Sequence, residues 1–282
     1  MKRLPALIPL LARAALPRSS SKALNFPQRC IELAPLRCSP RQVKRYARAC
    51  GFALDRDTLP PSYLHTLAFR LQMQQMVQAD FPLAAMGCVH LSNDIVQHRG
   101  IAIGETLRMN CRLSEHTLTD RGVEFAFECL AFVGEECVWE DRSRYLSRRK
   151  TGIAKPAKKL RAKPRQFAQQ RELPITAGTA RRYARASGDF NPIHLHDISA
   201  KLLGFKKMVV HGMWSKAACI AQLMDNDGDD NIRCQVEFKT PVFLPAKTLL
   251  CYDKDKGNIA FELRDARSGK PHLLGSLSKP AG

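Results

Sequence analysis

No apolar run in this 282-residue chain reaches the ~18 residues that a membrane-spanning helix needs, so no span is expected. Acidic residues are scarce, 26 against 45 basic ones, giving a formal net charge of +19. They are missing altogether from residues 1–29 and from 142–165. The ten cysteines contain no Cys-x-x-Cys pair and no regular spacing, which argues against structural zinc and a disulfide framework and fits a reducing compartment, read here as the cytoplasm. A basic chain admits a nucleic-acid partner. Without helix-turn-helix spacing, a zinc-finger pattern or an aromatic-rich RNA-binding motif, none is expected. Ser187 lies outside any Gly-x-Ser-x-Gly elbow, which weighs against a serine nucleophile.

What the chain does contain is enough apolar residue, 45%, for one or two good cores, and its length suggests two domains. The opening residues are basic and then apolar, but Pro5, Pro9 and Arg13 interrupt the run that a secretory signal requires. A basic organellar leader also fits a stretch without acids. We read residues 1–40 as an N-terminal extension. Between Arg148 and Gln169, blocks of Lys and Arg are broken by Gly152, Pro156 and Pro164, so 150–168 reads as a solvated basic linker.

The two flanking segments, 41–149 and 169–282, are related. Arg45-Tyr-Ala-Arg-Ala-Cys-Gly51 recurs as Arg182-Tyr-Ala-Arg-Ala-Ser-Gly188, and Gly104-Glu-Thr-Leu107 and Ala246-Lys-Thr-Leu249 sit at corresponding places. Two copies mean two similar modules, since a solenoid needs at least three. Leu107, Met109, Cys111 and Leu113 alternate with polar residues, and Val123, Phe125, Phe127 and Cys129 alternate with Glu124, Ala126 and Glu128. Both patterns predict half-buried antiparallel strands. Met213, Ala217, Ile220, Ala221 and Met224 recur at helical spacing and predict a buried helix from Gly212. Ser62 to about Ala79 would be its counterpart, though four glutamines make it less cleanly apolar.

Chemistry concentrates after the second copy of the repeat. Gly188-Asp-Phe-Asn-Pro-Ile-His194 places a carboxylate and an imidazole on either side of an Asn-Pro turn, where they can converge without helical spacing. Taken singly, Asp189 would be an ordinary helix cap and His194 a packed core residue. Together they can hold a water and pass its proton. The first copy continues from Gly51 with no such loop. His194, His196 and His211 raise a metal site, which the absence of flanking cysteines disfavours.

With Ala200, with His211-Gly-Met213 opening a helix, and with Val236-Glu-Phe-Lys-Thr-Pro-Val-Phe-Leu-Pro245 after it, this loop resembles the signature of the MaoC-like (R)-specific enoyl-CoA hydratase 2 family. Ala186 departs from the larger aliphatic residue or Gly usual there. From about residue 40 onward the chain is similar to its double hot-dog members. The resemblance implies an α+β double hot-dog fold, two tandem modules each with an antiparallel sheet wrapped around a central helix. It also implies hydration of trans-2-enoyl thioesters, or dehydration of (R)-3-hydroxyacyl thioesters, carried on coenzyme A or an acyl carrier protein. No cofactor or metal is implied, and the protein would be a monomer or homodimer. Asp189 and His194 would activate water, Asn191 would orient the carboxylate through its amide, and the Gly212 N–H would donate to the thioester oxygen. Ser187, Phe190, His211, Met213 and Trp214 would contact substrate. The alternatives are a hot-dog acyl thioesterase, or a non-catalytic acyl- or nucleic-acid-binding protein.

Overall fold

The computed structural model describes residues 4–15, 24–155, 165–224 and 231–280. The first half runs α1 (Leu7–Ala15), β1 (Cys30–Arg37), α2 (Pro40–Cys50), α3 (His65–Met76), β2 (Val89–Gln97), β3 (Thr106–Thr119), β4 (Gly122–Val133) and β5 (Glu136–Arg148). The second runs β6 (Gln169–Ile175), α4 (Ala177–Ser187), α5 (Asp197–Leu202), α6 (Gly212–Leu223), β7 (Ile232–Phe238), β8 (Ala246–Asp255), β9 (Asn258–Asp265) and β10 (Pro271–Ser278). All paired strands are antiparallel, in one sheet of order β1-β3-β4-β5-β2-β7-β10-β9-β8-β6. Each half has the same internal order, read outward from the β2–β7 junction. The halves are therefore two copies of one module joined edge to edge: a double hot-dog.

The repeated heptapeptide makes the last turns of α2 and α4. Each helix ends at a left-handed glycine, Gly51 at φ +89° and Gly188 at φ +82°, whose N–H donates to the carbonyl of Ala47 or Ala184. The two helices pack on each other, with the Tyr46 and Tyr183 rings 5.9 Å apart. Trp214 on α6 donates its indole N–H to the Ala49 carbonyl at 2.8 Å, a second tie between modules.

α6 is buried on nearly every side, as the apolar spacing predicts for a helix inside a curled sheet. α3 is its counterpart, and its glutamines are core residues. Gln72 accepts from the Tyr145 hydroxyl at 2.7 Å, and Gln75 donates to the Cys111 carbonyl at 2.8 Å. Satisfied in this way, they can be buried without the cost of an orphaned amide.

Two expectations change. Residues 1–40 are not simply an extension, because Cys30–Arg37 is the edge strand paired to β3, and the α1 residues Leu7, Leu10 and Ala14 join the core. Pro9 is accommodated in the first turn of α1, where its missing N–H would have had no helical acceptor. β4 is not half-buried: Ala126 and Glu124 are buried as well as the apolar set. Glu124 tolerates this because Arg121 and Arg144 hold its two oxygens at 2.6 and 3.1 Å. Of the basic linker, residues 156–164 lie outside the described residues; Thr151–Lys155 has no regular structure.

Candidate active site

A chain of local hydrogen bonds builds the site from the end of α4. The Ser187 hydroxyl donates to the Tyr183 carbonyl at 2.9 Å and accepts from the Asp189 N–H at 3.2 Å. Asp189 then accepts from the backbone N–H of Asn191 at 3.1 Å. The Asn191 side-chain oxygen caps the following 3-10 turn, Pro192–His194, by accepting from the Ile193 N–H at 3.4 Å. Asn191 thus steadies the carboxylate through its main chain, not through its amide as expected.

Val209 fixes the other partner. Its N–H donates to the Ile193 carbonyl at 3.0 Å, and its carbonyl accepts from His194 Nδ1 at 2.7 Å. With the ring proton committed to that carbonyl, His194 Nε2 presents a lone pair. Burial holds the His194 pKa below the ordinary imidazole range, against the opposing pull of the Asp189 carboxylate and the Val209 bond. The ring is therefore neutral at neutral pH.

His211 stacks on His194 with ring centroids 3.6 Å apart and lies tilted to Tyr183, with centroids 4.9 Å apart. Its Nε2 donates to the Asp189 carbonyl at 3.0 Å and lies 3.8 Å from the carboxylate. Burial first, and His194 second, push its pKa far down, so it too is neutral. Asp189, His194 and His211 offer ligand atoms within 4.8 Å of one another, the one part of the expected histidine cluster that converges. His196 turns away to cap α5, accepting from the Ile198 N–H.

His211 also precedes α6, whose first amides have no helical acceptor and favour negative charge. A Cβ on Gly212 would sit 3.0 Å from the Phe238 ring, so any larger residue there would press that ring away from the helix start. Among the residues expected to touch substrate, Ser187 and Trp214 spend their polar contacts inside the protein, His211 commits Nε2 there while its buried Nδ1 has no partner, Met213 is buried and Phe190 is half-buried.

Two neighbours were not singled out from sequence. Arg70, on α3 of the first module, would come within 3.2 Å of a Cβ on Gly188, and its Nε is buried with no hydrogen-bond partner. A lone arginine in a glutamine-rich helix was its only signal. Val209 acts through its backbone, which no side-chain motif reveals.

This is a double hot-dog protein with a carboxylate and a neutral imidazole at the mouth of one central helix. A model of the MaoC like domain matches residues 159–265. The chain is 32% identical over 254 residues to 3-hydroxyacyl-thioester dehydratase X of Mycobacterium tuberculosis, covering 90% of each. The crystal structure of HtdX of Mycobacterium tuberculosis superposes with a TM-score of 0.77 at 30% identity, over 89% of this chain and all of that one. A MaoC-like dehydratase from Phytophthora capsici shares the fold, at 19% identity and a TM-score of 0.74 over 93% of this chain and 98% of that one. The chain belongs to the MaoC-like hydratase/dehydratase family.

Proposed function

We propose that the protein catalyses the reversible hydration of trans-2-enoyl thioesters to (R)-3-hydroxyacyl thioesters, on coenzyme A or an acyl carrier protein. The observation that carries this is the convergence of the Asp189 carboxylate and the His194 ring, whose Nδ1 is committed to the Val209 carbonyl, beside the start of α6. The extended similarity to a 3-hydroxyacyl-thioester dehydratase supports it.

In hydration, Asp189 and His194 Nε2 hold one water between them. As its oxygen bonds to C3 they take its proton, and the π electrons move through C2 to the thioester carbonyl. The Gly212 N–H at the head of α6 donates to the oxygen where that charge collects. A proton returned to C2 completes the addition, and dehydration follows the same path backward. Ser187, Val209 and His211 are positioning residues, which hold the acid–base pair. The (R) outcome rests on the family resemblance. Phe190 and Met213 are the residues expected to border the acyl chain. The protein's positive charge favours phosphate-bearing or acidic substrate carriers, and a monomer already contains the two modules that a hot-dog dimer supplies. Cytoplasmic residence is the matching reading of the unpaired cysteines.

The test is loss of the conjugated enoyl absorbance with crotonyl-CoA and a longer trans-2-enoyl-CoA, followed by chiral resolution of the product. Formation of (R)-3-hydroxyacyl-CoA is expected. Release of free thiol instead would identify a thioesterase. Turnover of neither these nor enoyl-carrier-protein substrates would overturn the enzymatic reading.

A further inference from the structure

A second convergence of potential ligands lies on the first module, away from the acid–base loop. Strands normally send residues i and i+3 to opposite faces. β5 breaks that rule between Cys137 and Glu140, because its pairing with β4 slips: Cys137 faces Phe132, and Trp139 faces Ala131. Val138 is the extra residue. Val138 and Trp139 both turn into the core and are fully buried, which leaves Cys137 and Glu140 together on the outer face.

His98, just past the end of β2, completes the group. Its N–H donates to the Val138 carbonyl at 3.0 Å, so the bulge that aligns the other two also anchors this residue. Its Nε2 lies 2.8 Å from Glu140 Oε1, and one ligand atom from each of the three residues lies within 4.8 Å of the others. Around a tetrahedral zinc such atoms stand about 3.4–3.7 Å apart, so rotamer adjustments close the site without moving the strands. His98 and Glu140 are part-exposed, which gives an ion access and leaves room for a water as fourth ligand.

The local charge is also unusual for so basic a chain. Glu140, Glu128 and Glu136 all bear on the Cys137 thiol. Arg99 pairs with Glu105 and Glu136 and Arg112 with Glu128, which offsets part of that charge, while Arg233 pairs with Asp94 and is also drawn by Glu140.

We infer that His98, Cys137 and Glu140 form a zinc site, one ion per chain, that clips the end of β2 to β5. The nitrogen, thiolate and carboxylate set suits zinc or cobalt better than magnesium or calcium. Binding replaces the thiol proton with the metal and releases it to solvent, while His98 binds through Nε2 as the neutral imidazole with its proton on Nδ1. The site takes no part in the acid–base chemistry.

Co(II) as a spectroscopic probe and Zn(II) as its competitor test this on the full chain. The expected result is one Co(II) per chain with a thiolate-to-cobalt charge-transfer band, displaced by Zn(II). Cys137→Ser should abolish the band, and His98→Ala and Glu140→Gln should each weaken binding about tenfold or more. Zn(II) should raise the melting temperature of the wild type and not of Cys137→Ser. Asp189→Asn should leave the band unchanged. A cobalt spectrum without a thiolate band, a band that survives Cys137→Ser, or a band lost in Asp189→Asn because the ion sits at Asp189, His194 and His211 would overturn the inference. Cys137→Ser, His98→Ala and Glu140→Gln should leave enoyl hydration unchanged, so the metal site and the proposed activity fail or stand separately.

Discussion

Asp189 and His194 differ in what their removal should cost. Asp189→Asn keeps the side chain's size and its acceptor for the Asn191 N–H but loses basicity, so hydration should fall about 10²–10⁴-fold while circular dichroism is unchanged. Near-normal turnover in the folded variant would sink the assignment. His194 must be neutral to take a proton from water, and burial has lowered its pKa. The acid limb of kcat/KM for hydration should therefore lie below the ~6.5 of free imidazole, which a pH–rate profile reads directly. The Asp189 charge opposes that lowering, so in Asp189→Asn any residual acid limb should move lower still. At this scale the sequence was informative about side chains. The two proton-transfer groups are legible in the Asp-x-Asn-Pro-x-His spacing, whereas the Asn191 main-chain contact and the Val209 carbonyl depend on backbone geometry that no residue letter encodes.

At the scale of elements, glycine positions carry the sharpest constraints. Gly188 combines a φ of +82° with Arg70 3.2 Å from where a Cβ would stand, so Gly188→Ala should destabilise by about 1 kcal/mol or more in urea. In β10, a Cβ on Gly275 would fall 2.3 Å from the Phe261 ring of β9. Gly275→Ala must displace a buried aromatic and should cost about 1–3 kcal/mol. Periodicity found β3 and α6 because one face or one stripe is apolar in each. It misjudged β4, where Glu124 looks solvated until the arginines that cover it come from other positions. It left β1 inside an extension, since the cross-strand pairing of Cys30–Arg37 with β3 is not a local property. The repeated helix ends, by contrast, were legible, because duplicated side chains make duplicated caps at Gly51 and Gly188.

For the whole molecule, one buried polar network spans the module boundary. The Lys216 ammonium on α6 donates to the Asn93 and Cys234 carbonyls, at 3.3 and 2.8 Å, and to the Asn93 side chain at 2.5 Å. Asn93 donates to Asp141 at 2.7 Å, which His65 also meets at 2.8 Å. Removing the cation strands these acceptors, so Lys216→Ala should lose about 3 kcal/mol or more of unfolding free energy. Global stability should also depend on acid. His194 and His211 have depressed pKa values when folded, and His90, its ring sandwiched between Tyr145 and Phe238, is pushed down to about 3. Each binds a proton more weakly folded than unfolded. Their contribution is complete above ~6.5 and drains as pH falls, down to about 3 for His90, by up to about 1.4 kcal/mol per pH unit for each histidine. Urea melts at stepped pH values should trace that decline.

The β2–β7 seam has a further consequence for how the chain is held together. Each half closes the other's open edge, leaving β1 and β6 as the outer strands of the sheet. A chain divided between Arg148 and Gln169 should therefore behave as a split protein. Expressed together, the fragments are expected to reassemble by strand complementation and recover hydration. Expressed alone, each would present a bare edge with no native mate.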